Sequence, residues 1–175
     1  MKRLIVVFGF LIHAFWCEAQ QDAQVSLYLR NPIQLNPAHT GLDGTFRGTT
    51  ITRRQWTGWE GAPRTQWFSA HAPAFRNRIG LGITYMNDES GARGQNEFRL
   101  NAAYHLAELG FGARLSAGIG LGLATDRFDF NDLQVRHVDD ALIPTAFKAT
   151  NAVAGMGLLV QSEQGWFTGF AVPQL

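Results

Sequence analysis

Beyond the first twenty residues, the side chains able to hold a metal or move a proton are thinly spread. His39, His71, His105 and His137 lie 32 to 34 residues apart. None has a partner at the His-x-x-x-His spacing that puts two ligands on one helix face. Asp126, Asp129 and Asp132 stand three apart, with Asp139 and Asp140 beyond. A calcium loop alternates its acidic ligands every second residue around a central glycine, so this stretch reads as a solvated loop. Ser69, Ser90 and Ser116 sit in no nucleophile-elbow pattern. The expectation is therefore no catalytic residue, no metal ligand and no cofactor site. An outer-membrane enzyme acting on lipid or peptide is the alternative, and it would need titratable groups clustered at one rim.

Two other groups of residues are suited to binding protein. Arg53-Arg54-Gln55-Trp56, with Trp59, joins guanidiniums to indoles. Such residues anchor a membrane interface, and they also dominate binding hot spots. In Asn36-Pro37-Ala38 the proline pushes Asn36 into an extended conformation and favours a turn. The same segment could dock a periplasmic partner or plug a lumen. Asn36, Pro37, Arg54, Trp56 and Trp59 are the candidate partner-contact residues.

The elements that hold these residues begin after a targeting segment. Lys2 and Arg3 precede an apolar run from Leu4 to Trp16, too short for a spanning helix, and Cys17-Glu18-Ala19 offers a cleavage site. Residues 1–19 read as a signal peptide and Gln20 as the mature start. The remaining 156 residues contain no cysteine, so no disulfide can staple the exported chain. Removing Lys2 and Arg3 from 15 cations, and Glu18 from 14 anions, leaves 13 of each. That balance provides no field for nucleic acid. Twelve of the cations are Arg, which suits paired or partly buried charge.

No later window is apolar enough for a transmembrane helix. From residue 45 the period is two instead. Leu115, Ala117, Ile119, Leu121 and Leu123 alternate with Arg114, Ser116, Gly118, Gly120 and Gly122. The spacing predicts seven strands, at 45–56, 64–72, 79–85, 97–106, 114–124, 151–161 and 166–172. Glycine on a polar face is odd for a soluble barrel that binds a hydrophobic ligand, the third reading, because glycine weakens an exposed strand. In an outer-membrane barrel the apolar face meets lipid and the glycine face lines the lumen. Trp56, Trp67, Tyr85 and Trp166 would form the aromatic girdles. Arg at Ile119 should then disturb folding more than Arg at a wet Gly118. Short connections after the even strands and long ones after the odd strands put the N-terminus in the periplasm and make residues 125–150 an outer loop. Seven strands cannot close in lipid, so the sheet is expected to be the first part of a larger barrel, about half. The expected organisation is a signal peptide at 1–19, a periplasmic segment at 20–44, and the N-terminal part of an all-β, antiparallel outer-membrane barrel at 45–175, truncated.

Ordered short motifs add to this. Asp22-Ala23-Gln24-Val25-Ser26-Leu27-Tyr28 runs into Asn31-Pro32, then Leu35-Asn36-Pro37-Ala38 and Gly41. Arg54-Gln55-Trp56, Gly61-Ala62-Pro63, His71-Ala72-Pro73, Gly80-Leu81-Gly82 and Asn87-Asp88 follow in order, with Gly169 to Leu175 near the end. In this order they resemble the PorP/SprF family of outer-membrane proteins of the Bacteroidetes type IX secretion system. His39-Thr40 departs from the family, which more often has an aromatic and a small residue there. The resemblance implies a role in protein secretion and gliding, without enzymatic activity or cofactor. Its implied partners are outer-membrane lipid, periplasmic components of the machine, and secreted adhesin-type clients.

Overall fold

The computed structural model describes residues 27–109, 112–129 and 146–174. The expected signal peptide, Asp132, His137, Asp139 and Asp140 lie outside the described residues. Seven strands follow one another in one antiparallel sheet that curls into a half-barrel: β1 (Arg47–Arg54), β2 (Arg64–Ala74), β3 (Ile79–Ser90), β4 (Arg93–Leu109), β5 (Ala113–Asp129), β6 (Ala146–Ser162) and β7 (Phe167–Val172). All seven expected strands are present. Among the described residues β1 and β7 are the unpaired edges.

Several strands are longer than their alternation suggested. β4, β5 and β6 each have 17 residues. The long connection expected between β3 and β4 is instead a tight turn at Gly91 and Ala92. The ladder continues unbroken from Met86 opposite Glu97 to Ser90 opposite Arg93. Residues 125–129 and 146–150, expected in a loop, likewise pair with one another. The physical reason is that a strand beyond the lipid keeps its backbone ladder but needs no apolar face. The two-residue hydrophobic signal therefore stops before the strand does.

The facing of the strands separates the membrane reading from the soluble one. Ile119, Leu121 and Leu123 are 56%, 59% and 56% exposed on the convex side. Leu81, Leu100, Tyr104, Met156 and Leu158 share that side and are also exposed. The concave side buries Thr84, Glu97, Arg99, Asn101, His105 and Ser116. A barrel for a hydrophobic ligand would have the opposite arrangement. Polar groups inside and apolar groups outside suit a lipid solvent.

One girdle assignment is corrected. Trp67 faces inward and is 1% exposed, because it alternates with outward-facing Phe68. Trp56 lies beyond the end of β1 with φ 48°. Tyr85 is on the outer face, where Phe68 and Phe98 flank it across the strands.

Candidate functional site

The concave face is occupied by the protein's own N-terminal segment. Single 3-10 turns at Tyr28–Arg30, Pro32–Gln34 and Pro37–His39 lead into β1. Two of them start with an Asn-Pro pair. Asn36 is extended (φ −137°, ψ 107°), as a residue before proline must be. Its Oδ1 accepts from the Ala38 N–H at 2.9 Å, and its Nδ2 donates to the Leu158 carbonyl of β6 at 3.1 Å. Pro37 occupies the first helical position, where a missing N–H costs nothing. The Thr40 hydroxyl donates to the Pro37 carbonyl at 2.7 Å, closing the turn. Ser69 of β2 donates to Asn31 Oδ1 at 2.7 Å, and the Gly41 N–H donates to His71 Nδ1 at 3.0 Å. Ile33, Ala38 and Thr40 are almost wholly buried.

Glycines on the concave face make this seat possible. A Cβ at Gly80 would land on the Thr40 carbonyl, one at Gly118 on the peptide joining Pro37 to Ala38, and one at Gly157 on Asn36 Oδ1. Gly41 itself has φ +71° and packs against Gly80. The lumen expected at Gly118 to be wet is therefore filled by backbone, and the contrast expected between Gly118 and Ile119 does not hold. The glycine run marks the space, and of the two roles open to the Asn-Pro segment, docking and plugging, the structure shows it filling that space.

Above this plug lies a polar layer. Arg99 pairs with Glu97 at 2.5 Å, and both side chains are nearly buried. Arg99 Nη1 also donates to the Pro173 carbonyl at 2.8 Å, tying β4 to the chain after β7. Asn101 donates to Thr84 at 3.2 Å, and on the far side of the Gly118 level His105 Nδ1 lies 2.9 Å from Ser116 Oγ. This is the buried pairing that the arginine-rich composition implied. Asp126, expected in a loop, is on β5 and lies 3.6 Å from Arg93. Among the described residues no three His, Cys, Asp or Glu side chains group as metal ligands.

The candidate contact residues thus fall in two places. Asn36 and Pro37 are buried in the plug. Arg54, Trp56 and Trp59 are exposed at the opposite rim, with the indoles 72% and 80% accessible. Their loop is held by its own bonds, Gln55 N–H to the Pro63 carbonyl at 3.0 Å and Trp59 N–H to the Trp56 carbonyl at 3.2 Å. The Gly91 N–H donates to the Gly61 carbonyl at 2.8 Å, so the β3–β4 turn braces the loop.

Two predictions follow from the plug. Asn36→Ala removes a turn cap and a buried bond to β6. It should destabilise the protein by about 2–3 kcal/mol, read as a lower urea midpoint in detergent. An unchanged midpoint would mean that the segment is not docked. The second concerns His39, half-buried with its ring edge-on to Phe167 at 5.7 Å. Burial pushes its pKa down to about 4, although the Asp43 carboxylate partly opposes this. The folded state keeps His39 neutral, while the unfolded chain protonates near 6.5. Stability should therefore fall as pH drops from about 6.5 to about 4, and be unaffected by this group above that window. His39→Gln should flatten that part of the unfolding curve; an identical pH profile would contradict the burial.

A meander of antiparallel strands with a polar, glycine-lined interior and an apolar exterior defines a β-barrel of the outer-membrane type. The chain belongs to the family described as type IX secretion system membrane protein PorP/SprF, which it matches over residues 17–175. That bears out the resemblance carried by the ordered motifs. No curated protein and no solved structure matches the chain.

Proposed function

We propose that the protein is a non-enzymatic outer-membrane component of the type IX secretion machinery that assists export or surface attachment of client proteins. The observation that carries this reading, beside the family match, is the filled interior. Residues 31–41 take up the space on the concave face through which cargo would pass. The surfaces left for work are the rims. The rim with the connections at 75–78 and 163–166 faces the periplasm and other parts of the machine. The opposite rim, with Trp56 and Trp59, faces outward and contacts adhesin-type clients. Two exposed indoles on a braced loop support a protein-binding role there. Residues 1–19 direct export.

Deleting the gene and quantifying secreted and surface-attached proteins tests the role. Loss of one or more adhesins, restored by the wild-type gene and not by a Trp56→Ala/Trp59→Ala version, is the expected result. Unchanged export of every surface protein would remove the proposal. Recovery of the protein in a soluble fraction without detergent would remove the membrane location.

A further inference from the structure

The continuous register lets outward-facing side chains be followed in rows across the sheet. Phe68, Tyr85, Phe98 and Leu123 stand side by side as the last apolar row toward the loop rim. One step of two residues further, Gln66, Asn87, Asn96, Thr125 and Thr150 form a second row. A further step brings Arg54, Arg64, Glu89, Gly94, Arg127 and Lys148 into a third. Each step advances about 6.7 Å along the strand, or about 5 Å along the membrane normal at the usual tilt. Apolar, uncharged polar, then charged is the order met on leaving a leaflet, whose headgroup layer is about 5–8 Å deep.

The charged row contains two cross-strand cation pairs, Arg54 with Arg64 and Arg127 with Lys148. Like charges directly opposite one another repel. Among the described residues none of the four makes an ion pair. The Arg64 Nε is buried without a hydrogen-bond partner. Opposite Arg127 stands Gly94, whose missing side chain leaves the guanidinium room; a Cβ there would come 3.6 Å from Arg127 Nε. Glu89 contributes the row's single carboxylate, so the row has a surplus of cations facing the membrane.

We propose that these two pairs hold phosphate groups of the lipid headgroups in the loop-side leaflet. Guanidinium forks match phosphate oxygens in geometry and charge, and an anion between two cations turns repulsion into attraction. The pairs share a face with Phe68 and Leu123, not with the plug or the loop tips, so a bilayer is the surface that reaches them. The inference rests on the outward face being lipid-facing and is independent of the secretion role.

The test is native mass spectrometry of the full chain in non-ionic detergent with added phosphatidic acid, or with diacylglycerol of the same chains. The wild type should retain the phosphatidic acid about tenfold better. Arg54→Gln/Arg64→Gln and Arg127→Gln/Lys148→Gln should each lower that preference, and Glu89→Gln should raise it. Arg78→Gln, in the β2–β3 turn at the other rim, should leave it unchanged. Changes of opposite sign from exposed Arg54 and Glu89 cannot both come from misfolding. Equal retention of the two lipids, or unchanged retention in both double variants, would overturn the proposal. So would displacement by millimolar inorganic phosphate, which would assign the site to the free ion. A protein that stays in membranes yet shows no phosphate preference would refute this inference alone.

Discussion

Alanine at Gly118 should destabilise the protein by about 3 kcal/mol, the upper end of the cost of overpacking a close-packed interior. The added methyl has nowhere to go. On one side is the β5 backbone, and on the other the peptide joining Pro37 to Ala38 already occupies the space of a Cβ. That peptide cannot easily retreat. Proline fixes its φ, Asn36 is bonded to the Leu158 carbonyl on one side, and Gly41 is bonded to His71 on the other. Gly48→Ala is the control, because a Cβ there meets only the Phe46 ring at 3.8 Å, an ordinary contact. It should be close to neutral. Urea unfolding in detergent, followed by heat-modifiable mobility on gels, reads both. Equal midpoints for the two variants would mean that the segment does not occupy the concave face.

Arginine at Ile119 should destabilise by about 2–4 kcal/mol, by a different route. Ile119 is 56% exposed on the convex face, between Ala102 of β4 and Met156 of β6. Among the outward residues of β5 it is the middle one of Leu115, Ala117, Ile119, Leu121 and Leu123, so it sits near the centre of the apolar band. A cation there must stay in hydrocarbon or reach far for water. The loss should therefore be larger in lipid vesicles than in detergent, whereas the Gly118→Ala loss should be similar in both. Wild-type stability of Ile119→Arg in vesicles would contradict the lipid-facing assignment. The pair of variants separates the two faces of one strand by solvent.

Much of this fold is legible in the residues. Leu115 to Leu123 alternating with Ser116 to Gly122 names a strand, its two faces and its solvent, since a bilayer tolerates that pattern and a water-exposed sheet does not. Strand ends are less legible. Asn87-Asp88-Glu89 pairs across to Asn96, Gln95 and Gly94, yet carries no apolar alternation to announce it. Trp67 reads as a girdle residue by type and is a buried interior residue by parity. The candidate contact residues were visible as chemistry, and so was their division between the Asn-Pro segment and the loop after β1; which of docking and plugging the Asn-Pro segment performs was not.

Periodicity is a property of a single strand, and motif order a property of the chain. The sequence by itself therefore determined the all-β class, the facing of the strands with the clearest alternation, such as β5, and the family. What fills the concave face depends on atoms far apart in sequence, such as Asn36 and the Leu158 carbonyl 122 residues later. Only the tertiary structure decided that the glycines at 80, 118 and 157 receive the N-terminal segment. A missing side chain marks a space but carries no record of what will enter it, and that depends on how the curled sheet and the Asn-Pro turns fit together.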